Sequence, residues 1–144
     1  YGPRQFGVED QGWLAWFIIA AVTGRPITIY GDGKQVRDVL HVDDLLDAYD
    51  AAIKRIDVVA GKVYNLGGGP ENVISVYAEF FPMLEKLLGR KIPVARDDWR
   101  PGDQHVFYAD IRAAESALGW WPQIGVEEGI QKLFDWVMKN REMF

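Results

Sequence analysis

Residues 26–44, which read PITIYGDGKQVRDVLHVDD, carry the pattern from which the fold class is inferred. The β-branched and aromatic side chains of residues 27–30 favour a short strand. The Gly-Asp-Gly sequence at 31–33 follows at once, and we expect a tight turn there because glycine and aspartate tolerate a positive φ. Residues 36–42 predict a second extended segment. The stretch therefore indicates two short β-segments joined by a turn.

Helical patterns lie on both sides of this stretch. Residues 11–23 are apolar on nearly every face, which is typical of a helix that is buried all round or covered by a partner. Asp43 and Asp44 are expected to cap a helix that runs to about residue 55. Further helices are predicted over 75–88, capped by Ser75 and containing Pro82, over 110–118 and over 126–140, and short strands over 62–66, 91–95 and 105–109. The chain is therefore predicted to be an α/β domain with short strands and several helices.

The composition excludes several classes of protein. The 144 residues include 16 Lys and Arg against 21 Asp and Glu, and the formal net charge of −5 disfavours a nucleic-acid-binding protein. The longest apolar run, Trp13 to Val22, is much shorter than the roughly 20 residues that span a bilayer, so we expect no membrane association. The chain has no cysteine, which suits a cytoplasmic protein. His41 and His105 stand in no metal-ligand pattern, so no metal is expected.

Two turns carry side chains that can bind a phosphorylated ligand. The turn over residues 31–38 presents Arg37, which is either a cation for a phosphate or half of a solvated Arg–Asp pair in a hairpin turn. The turn over residues 98–104 offers Arg100 for a phosphate and Asp103 for sugar hydroxyls, or else a structural turn with an internal ion pair. Each turn taken alone leaves both interpretations open.

The segment before the first predicted helix is a third candidate. Residues 1–6, YGPRQF, precede the sequence Asp-Gln-Gly-Trp at 10–13, where backbone N–H groups at a helix N-terminus can bind an anion. The ring of Tyr30 can contact a base. Taken together, the two arginine turns, the helix start and this ring indicate a site for a nucleoside diphosphate.

The order of these motifs resembles a known family. The pattern comprises Tyr1-Gly-Pro-Arg4, residues 26–38, Val42-Asp-Asp44, residues 63–67, Arg100-Pro-Gly-Asp103, and Ala109-Asp110 followed by Leu118-Gly-Trp120 and Pro122. Over the whole chain it resembles the C-terminal half of extended short-chain dehydrogenase/reductases, the NAD-dependent nucleotide-sugar epimerases and dehydratases. Within that family, residues 4–6, 10–13, 16–17 and 33–41 are most similar to epimerases that act at C2 of a CDP-sugar, of the CDP-paratose to CDP-tyvelose type.

The resemblance implies roles for the residues of the two turns. Arg37 and Arg100 would neutralise the diphosphate of a CDP-sugar substrate, and Asp103 would accept hydrogen bonds from the ribose hydroxyls. These three residues would anchor the nucleotide while the sugar reacts.

The resemblance also implies contacts to the base, the diphosphate and the sugar. The backbone around Thr28 and Ile29, together with the ring of Tyr30, would hold the base. A helix N-terminus would be brought to the diphosphate by Gln11, Gly12 and Trp13. Two side chains would lie nearer the sugar, those of Arg4 and Gln5.

The same resemblance implies which parts of such an enzyme lie outside this chain. The family's Gly-rich NAD loop and catalytic Tyr-x-x-x-Lys pair precede the Tyr-Gly-Pro turn, and the chain starts at Tyr1 rather than Met. We therefore expect residues 1–144 to form one C-terminal substrate-binding domain without the Rossmann core, with NAD bound by an N-terminal domain. We expect no Tyr-x-x-x-Lys spacing, no catalytic residue and no turnover by these residues alone.

An interface with that NAD-binding domain is a further expectation. The helix over 43–55 would pack against it, and the helix over 11–23 would also have an external partner. Either exposed apolar side chains on these helices or a homo-oligomer that covers them should then be observed.

Other functions remain open from the sequence. The same motifs fit a nucleotide-sugar 4-epimerase, a 4,6-dehydratase or a decarboxylase. A binding or regulatory module that kept this domain without the chemistry would show them too.

Overall fold

The fold is taken from a computed structural model of the chain, which describes residues 1–9 and 11–144. The helices are α1 (Trp13–Thr23), α2 (Val42–Lys54), α3 (Ile56–Val59), α4 (Phe80–Leu88), α5 (Arg112–Leu118) and α6 (Val126–Lys139). The strands are β1 (Thr28–Tyr30), β2 (Val36–Asp38), β3 (Val73–Ser75), β4 (Ala95–Asp97) and β5 (Val106–Phe107), and short 3₁₀ turns lie at Pro70–Asn72 and Arg141–Met143. The predicted α/β class with short strands and several helices is confirmed.

The strands form two small sheets. β1 pairs in parallel with β4, and Tyr30 lies opposite Asp97. β2 lies between β3, which is antiparallel to it, and β5, which is parallel. The turn at 31–33 therefore joins two different sheets, and the hairpin considered from the sequence does not form. Gly31 and Gly33 both have positive φ, as the tight turn requires.

Helix α1 is the centre of the main hydrophobic core. Ile18 and Ile19 are fully buried, and the side chains that pack in the same core include Phe80, Leu84, Ile130 and Leu133. The predicted helix that is buried all round is confirmed. The expectation that its apolar side chains need an external partner is wrong, because α4 and α6 of the same chain cover them.

Ser75 ends a strand and does not begin a helix. It pairs with Val36 in the sheet, and its N–H donates to a carboxylate oxygen of Glu79 at 2.7 Å. The predicted start of the helix was therefore wrong, and α4 begins at Phe80. Pro82 becomes the third residue of α4, where its missing N–H would have had no partner within the helix.

Helix α2 is capped by His41 and not by the two aspartates. The Nδ1 atom of His41 accepts a hydrogen bond from the N–H of Asp43 at 3.2 Å. Asp44 is buried, and its carboxylate oxygens accept from the N–H groups of Gln123 and Ile124 at 2.9 and 3.0 Å. The predicted cap was wrong because the Asp44 carboxylate is used in these contacts to the loop after α5 and does not accept from the first turn of α2.

Three large apolar side chains of α2 are exposed among its charged residues. Ala48 packs in a second, smaller hydrophobic core with Leu118 and Trp120. In contrast, Leu46, Tyr49 and Ile53 point outward, and Ile53 is 68% exposed. The expected exposed apolar face is present on this helix. Residues 62–66 do not form the predicted strand, because no described strand lies beside them, and Val63 is 92% exposed.

The C-terminal half follows the sequence pattern more closely. β4 starts at Ala95, later than predicted, because residues 95–97 are the ones that pair with β1. Asp110 precedes α5, and its carboxylate accepts from the N–H of Arg112 at 3.1 Å. The predicted helix over 126–140 is confirmed as α6. No helix in the part of the chain described is both long and apolar enough to cross a membrane.

Candidate nucleotide-binding site

A cavity of about 320 Å³ opens between the N-terminal half of α1, strand β1 and the turn at 100–103. Its volume is in the range of small-molecule sites. Seven of the residues predicted for the site line it: Trp13, Thr28, Ile29, Tyr30, Arg37, Arg100 and Asp103. Residues of both arginine turns and of β1 therefore line one cavity.

A hydrogen-bonded network joins β2 to the second turn at the wall of this cavity. The guanidinium of Arg37 lies 2.7 Å from Oδ1 of Asp103 and also donates to the Val36 carbonyl at 2.9 Å. The side-chain amide of Gln35 donates to Oδ2 of Asp103 at 3.0 Å and to the Tyr30 carbonyl at 2.8 Å. Arg37 therefore pairs with Asp103, 66 positions away, and not with its neighbour Asp38.

Asp38 has a structural role on the opposite side of β2. One of its carboxylate oxygens accepts from the N–H groups of Gly69 and Ala109 at 3.2 and 3.1 Å. Successive residues of a strand point to opposite faces. Asp38 therefore ties two loops together, while Arg37 faces the cavity.

Tyr30 and Arg100 form a second cluster at the cavity. The guanidinium of Arg100 lies 3.8 Å from the centre of the Tyr30 ring, a cation–π contact that covers one face of the ring. The Tyr30 hydroxyl donates to Glu9 at 3.1 Å, and a carboxylate oxygen of Glu9 is 3.8 Å from Arg100. A base that contacts Tyr30 must use the other face of the ring or displace Arg100.

Four predicted residues lie elsewhere. Arg4 and Gln5 line a separate cavity of about 670 Å³, together with residues of α2. Gln11 and Gly12 are not among the described residues that line the cavity beside β1, and Gly12 packs against the Gln5 side chain. The start of α1 therefore reaches the cavity through Trp13, and Asp10 of the same motif lies outside the described residues.

Comparison with known proteins places this chain in a family. The sequence profile of the NAD dependent epimerase/dehydratase family matches residues 1–67. CDP-paratose 2-epimerase of Salmonella typhi is 39% identical over 141 residues, which are 94% of this chain and 41% of that protein. The chain belongs to the NAD-dependent epimerase/dehydratase family.

Other members with different substrates are similar too. UDP-glucose 4-epimerase 1 of Oryza sativa is 40% identical over 83% of this chain and 36% of its own length. The crystal structure of UDP-glucose 4-epimerase from Thermotoga maritima with UDP-glucose superimposes with a TM-score of 0.84 at 29% identity, over 98% of this chain and 44% of that one. This epimerase/dehydratase chain thus spans less than half of the length of these three relatives.

The glycine run at 67–69 of this epimerase/dehydratase chain does not form a dinucleotide-binding loop. The run follows an extended segment and not a paired strand. Gly67 packs against the Asp38 carboxylate, and Gly68 packs against the Val39 carbonyl and Asn72. These glycines allow close approach of the chain to itself, so this glycine run does not fit the diphosphate of NAD.

One Tyr-x-x-x-Lys spacing does occur in this epimerase/dehydratase chain, at Tyr30 and Lys34, and the expectation that the spacing is absent was wrong. Tyr30 ends β1, and Lys34 follows the tight turn, where its N–H donates to Asp32 at 2.9 Å. In a helix, residues at this spacing share a face, but the turn separates them. The Tyr30 hydroxyl donates to Glu9 at 3.1 Å.

A polar cluster around His41 lies outside the cavity beside β1. The ring of His41 packs edge-on against Tyr1, with ring centres 5.5 Å apart. Burial lowers the pKa of His41, with Lys132 acting in the same direction and Asp43 against it. Burial, helped by Asp44 and Glu128, raises the pKa of the Tyr1 hydroxyl well above its usual value. Both side chains are therefore neutral near pH 7.

Sequence reasoning missed part of the cavity wall. Glu9, Phe17, Gln35 and Val76 line it without having been predicted. Gln35 had a usable signal, because it lies two positions before Arg37 in an extended segment and so shares its face. Phe17 had another, one helical turn after Trp13. Among the described residues, no group of three His, Cys, Asp or Glu side chains could hold a metal ion.

Proposed function

We propose that this chain is the nucleotide-sugar-binding part of an NAD-dependent CDP-sugar 2-epimerase, of the CDP-paratose to CDP-tyvelose type. In this proposal the cavity holds the nucleoside diphosphate. Arg37 and Arg100 contact the phosphates, and Asp103 accepts from the ribose hydroxyls. The base lies along β1 at Thr28 to Tyr30.

The observation that carries this proposal is the convergence of two cations and one carboxylate on a single cavity. Arg37, Arg100 and Asp103 come from two segments far apart in the chain and line the same space beside an aromatic ring. Guanidinium groups bind phosphate oxygens in a planar, two-bonded geometry. The similarity to CDP-paratose 2-epimerase over most of the chain supports the choice of a CDP-sugar.

Each of the two arginines lies beside a carboxylate. Arg37 pairs with Asp103, and Arg100 lies near Glu9. A diphosphate would take over part of these contacts, so the cations are held near the phosphate positions before binding. Such preorganisation lowers the cost of ordering the side chains when the ligand binds.

The oxidation and reduction chemistry is proposed to belong to a part of the enzyme outside these residues. The chain's own glycine run is used in packing, so NAD would be held by a separate NAD-binding domain. The exposed apolar face of α2, formed by Leu46, Tyr49 and Ile53, is proposed to contact that domain. Residues 1–144 alone are therefore expected to bind nucleotide without turning over a nucleotide sugar.

A UDP-sugar 4-epimerase is the second candidate. The rice UDP-glucose 4-epimerase is as similar in sequence as the CDP-paratose enzyme, over a smaller share of this chain. The residues of the cavity that would contact phosphate and ribose serve either nucleotide equally. The two candidates differ in the base, in the sugar and in the sugar carbon that reacts.

The test is calorimetric titration of the protein with CDP, UDP and dTDP. We expect CDP to bind most tightly, and equal or weaker binding of CDP would favour the second candidate. Arg100→Ala should weaken binding of all three by roughly 1.5–3 kcal/mol, because it removes a charge-assisted contact that is common to them. Binding of none of the three nucleotides by the unaltered protein would refute both candidates.

A further inference from the structure

Gln35 is the most deeply buried polar side chain of the cavity wall. It is only 5% exposed, and it lies immediately before β2 on the face that carries Arg37. Buried polar side chains are expensive unless they are fully hydrogen-bonded. A glutamine at this position therefore needs a reason beyond packing.

The contacts of Gln35 fix the orientation of its amide group. Its nitrogen donates to the Tyr30 carbonyl at 2.8 Å and to Oδ2 of Asp103 at 3.0 Å. If the amide were turned over, its oxygen would face these two acceptors, and both hydrogen bonds would be lost. The donor side of the amide must therefore face Tyr30 and Asp103.

The oxygen of the same amide is buried without a hydrogen-bond partner among the described residues. The unpaired oxygen is a cost that an apolar side chain of similar size would avoid. The nitrogen is thus the useful part of the side chain. Exceptions of this kind to full hydrogen bonding concentrate at functional sites.

We propose that Gln35 is a positioning residue that orients Asp103 for the ribose of the nucleotide. This inference rests on the proposed function, in which Asp103 accepts from the ribose hydroxyls. Arg37 holds Oδ1 of Asp103, and Gln35 holds Oδ2. With one contact on each oxygen, the carboxylate plane is fixed, and the lone pairs left free can accept from two hydroxyls.

Gln35 also links the two halves of the proposed nucleotide site. The Tyr30 carbonyl is at the end of β1, where the base is proposed to lie, and Asp103 belongs to the turn proposed for the ribose. One amide group bonds to both. A single side chain therefore bridges the proposed base-binding strand and the proposed ribose-binding carboxylate.

The experiment compares two ligands by calorimetry, CDP and 2′,3′-dideoxy-CDP, which lacks the ribose hydroxyls. The unaltered protein should bind CDP more tightly than the dideoxy analogue. Gln35→Met keeps the length and bulk of the side chain without the amide. It should raise the Kd for CDP about tenfold and leave the Kd for the dideoxy analogue nearly unchanged. The difference in affinity between the two ligands is then largely lost.

The matched control is Gln131→Met. Gln131 also donates to a carboxylate, that of Asp135, at 2.8 Å, but on the exposed surface of α6. Its replacement should leave both affinities unchanged. Gln35→Asn keeps an amide but is one methylene too short to reach both acceptors, and it provides a second variant if the methionine variant folds poorly.

Each result decides between explanations. Equal weakening of both ligands by Gln35→Met and Gln35→Asn would mean a purely structural role and would overturn the inference, as would unchanged discrimination. Equal binding of the two ligands by the unaltered protein would also overturn the inference, because Asp103 would then gain no affinity from hydrogen bonds to the ribose hydroxyls. Failure of the unaltered protein to bind CDP at all would instead refute the proposed function.

Discussion

Replacing Arg37 by alanine tests the phosphate contact on which the proposed function depends. The Arg37 and Asp103 side chains are only 20% and 25% exposed, so water screens this cation less than it screens surface charges. The guanidinium is also anchored by its bond to the Val36 carbonyl. Arg37 therefore offers a diphosphate a partly dehydrated and already oriented cation.

The expected loss follows from these contacts. A hydrogen bond to a charged group contributes about 1.5–3 kcal/mol, which corresponds to a roughly 10- to 150-fold rise in the Kd for CDP. Arg37→Ala also leaves the Asp103 carboxylate without its cation beside the proposed phosphate site. That negative charge would repel the diphosphate, so the result should lie in the upper half of the range.

The assay is calorimetric titration with CDP, and the chain provides a matched control. Arg112 and Asp110 form a pair of almost the same length, 2.6 Å, but they are 85% and 57% exposed and lie away from the cavity. Arg112→Ala should leave the Kd unchanged, because exposed ion pairs contribute little. CDP binding by folded Arg37→Ala with an unchanged Kd would refute the reasoning, as would equal losses in the two variants.

Three further predictions concern stability and association. Asp44→Ala removes the acceptor of two loop N–H groups and should lower the free energy of unfolding in urea by about 2–4 kcal/mol. Because burial lowers the pKa of His41, the unfolded chain binds more protons than the folded one, and stability should fall as the pH drops below about 6.5. His41→Gln should reduce this slope in urea titrations between pH 5 and 8. Replacing Leu46, Tyr49 and Ile53 together by serine should weaken any self-association seen by sedimentation velocity.

Controls for these predictions lie close to the altered residues. Asp50 is an exposed carboxylate on the same helix as Asp44, and Asp50→Ala should change the free energy of unfolding by less than about 0.5 kcal/mol. His105→Gln should keep the pH slope that His41→Gln reduces. Equal effects of Asp44→Ala and Asp50→Ala, or equal slopes in the two histidine variants, would show that burial is not the cause.

Long, strongly patterned segments could be predicted from the sequence with better bounds than short strands. β1, β2 and β5 lie inside predicted segments, whereas 62–66 forms no strand and β4 begins only at the end of the predicted 91–95. The helices α1 and α6 could be predicted because their apolar residues extend over about three turns or more, a length that favours a helix over a strand. Strands of two or three residues have no such internal signal. Ser75 illustrates the difference: a serine before an apolar run fits a helix cap, but its pairing with Val36 places it in a strand.

Many of the residues that line the cavity could be predicted from the sequence, but the hydrogen bonds between their side chains could not. Arg37 and Asp38 are neighbours in sequence, and the alternation of side chains along a strand already implies that they point to opposite faces. Which carboxylate meets Arg37 depends on the parallel pairing of β2 with β5, in which Arg37 lies opposite Phe107. That register brings the turn before β5 alongside β2 and places Asp103 next to Arg37 and Gln35. We therefore expect changes in β5, a strand of two residues, to affect nucleotide affinity, although neither of its residues lines the cavity.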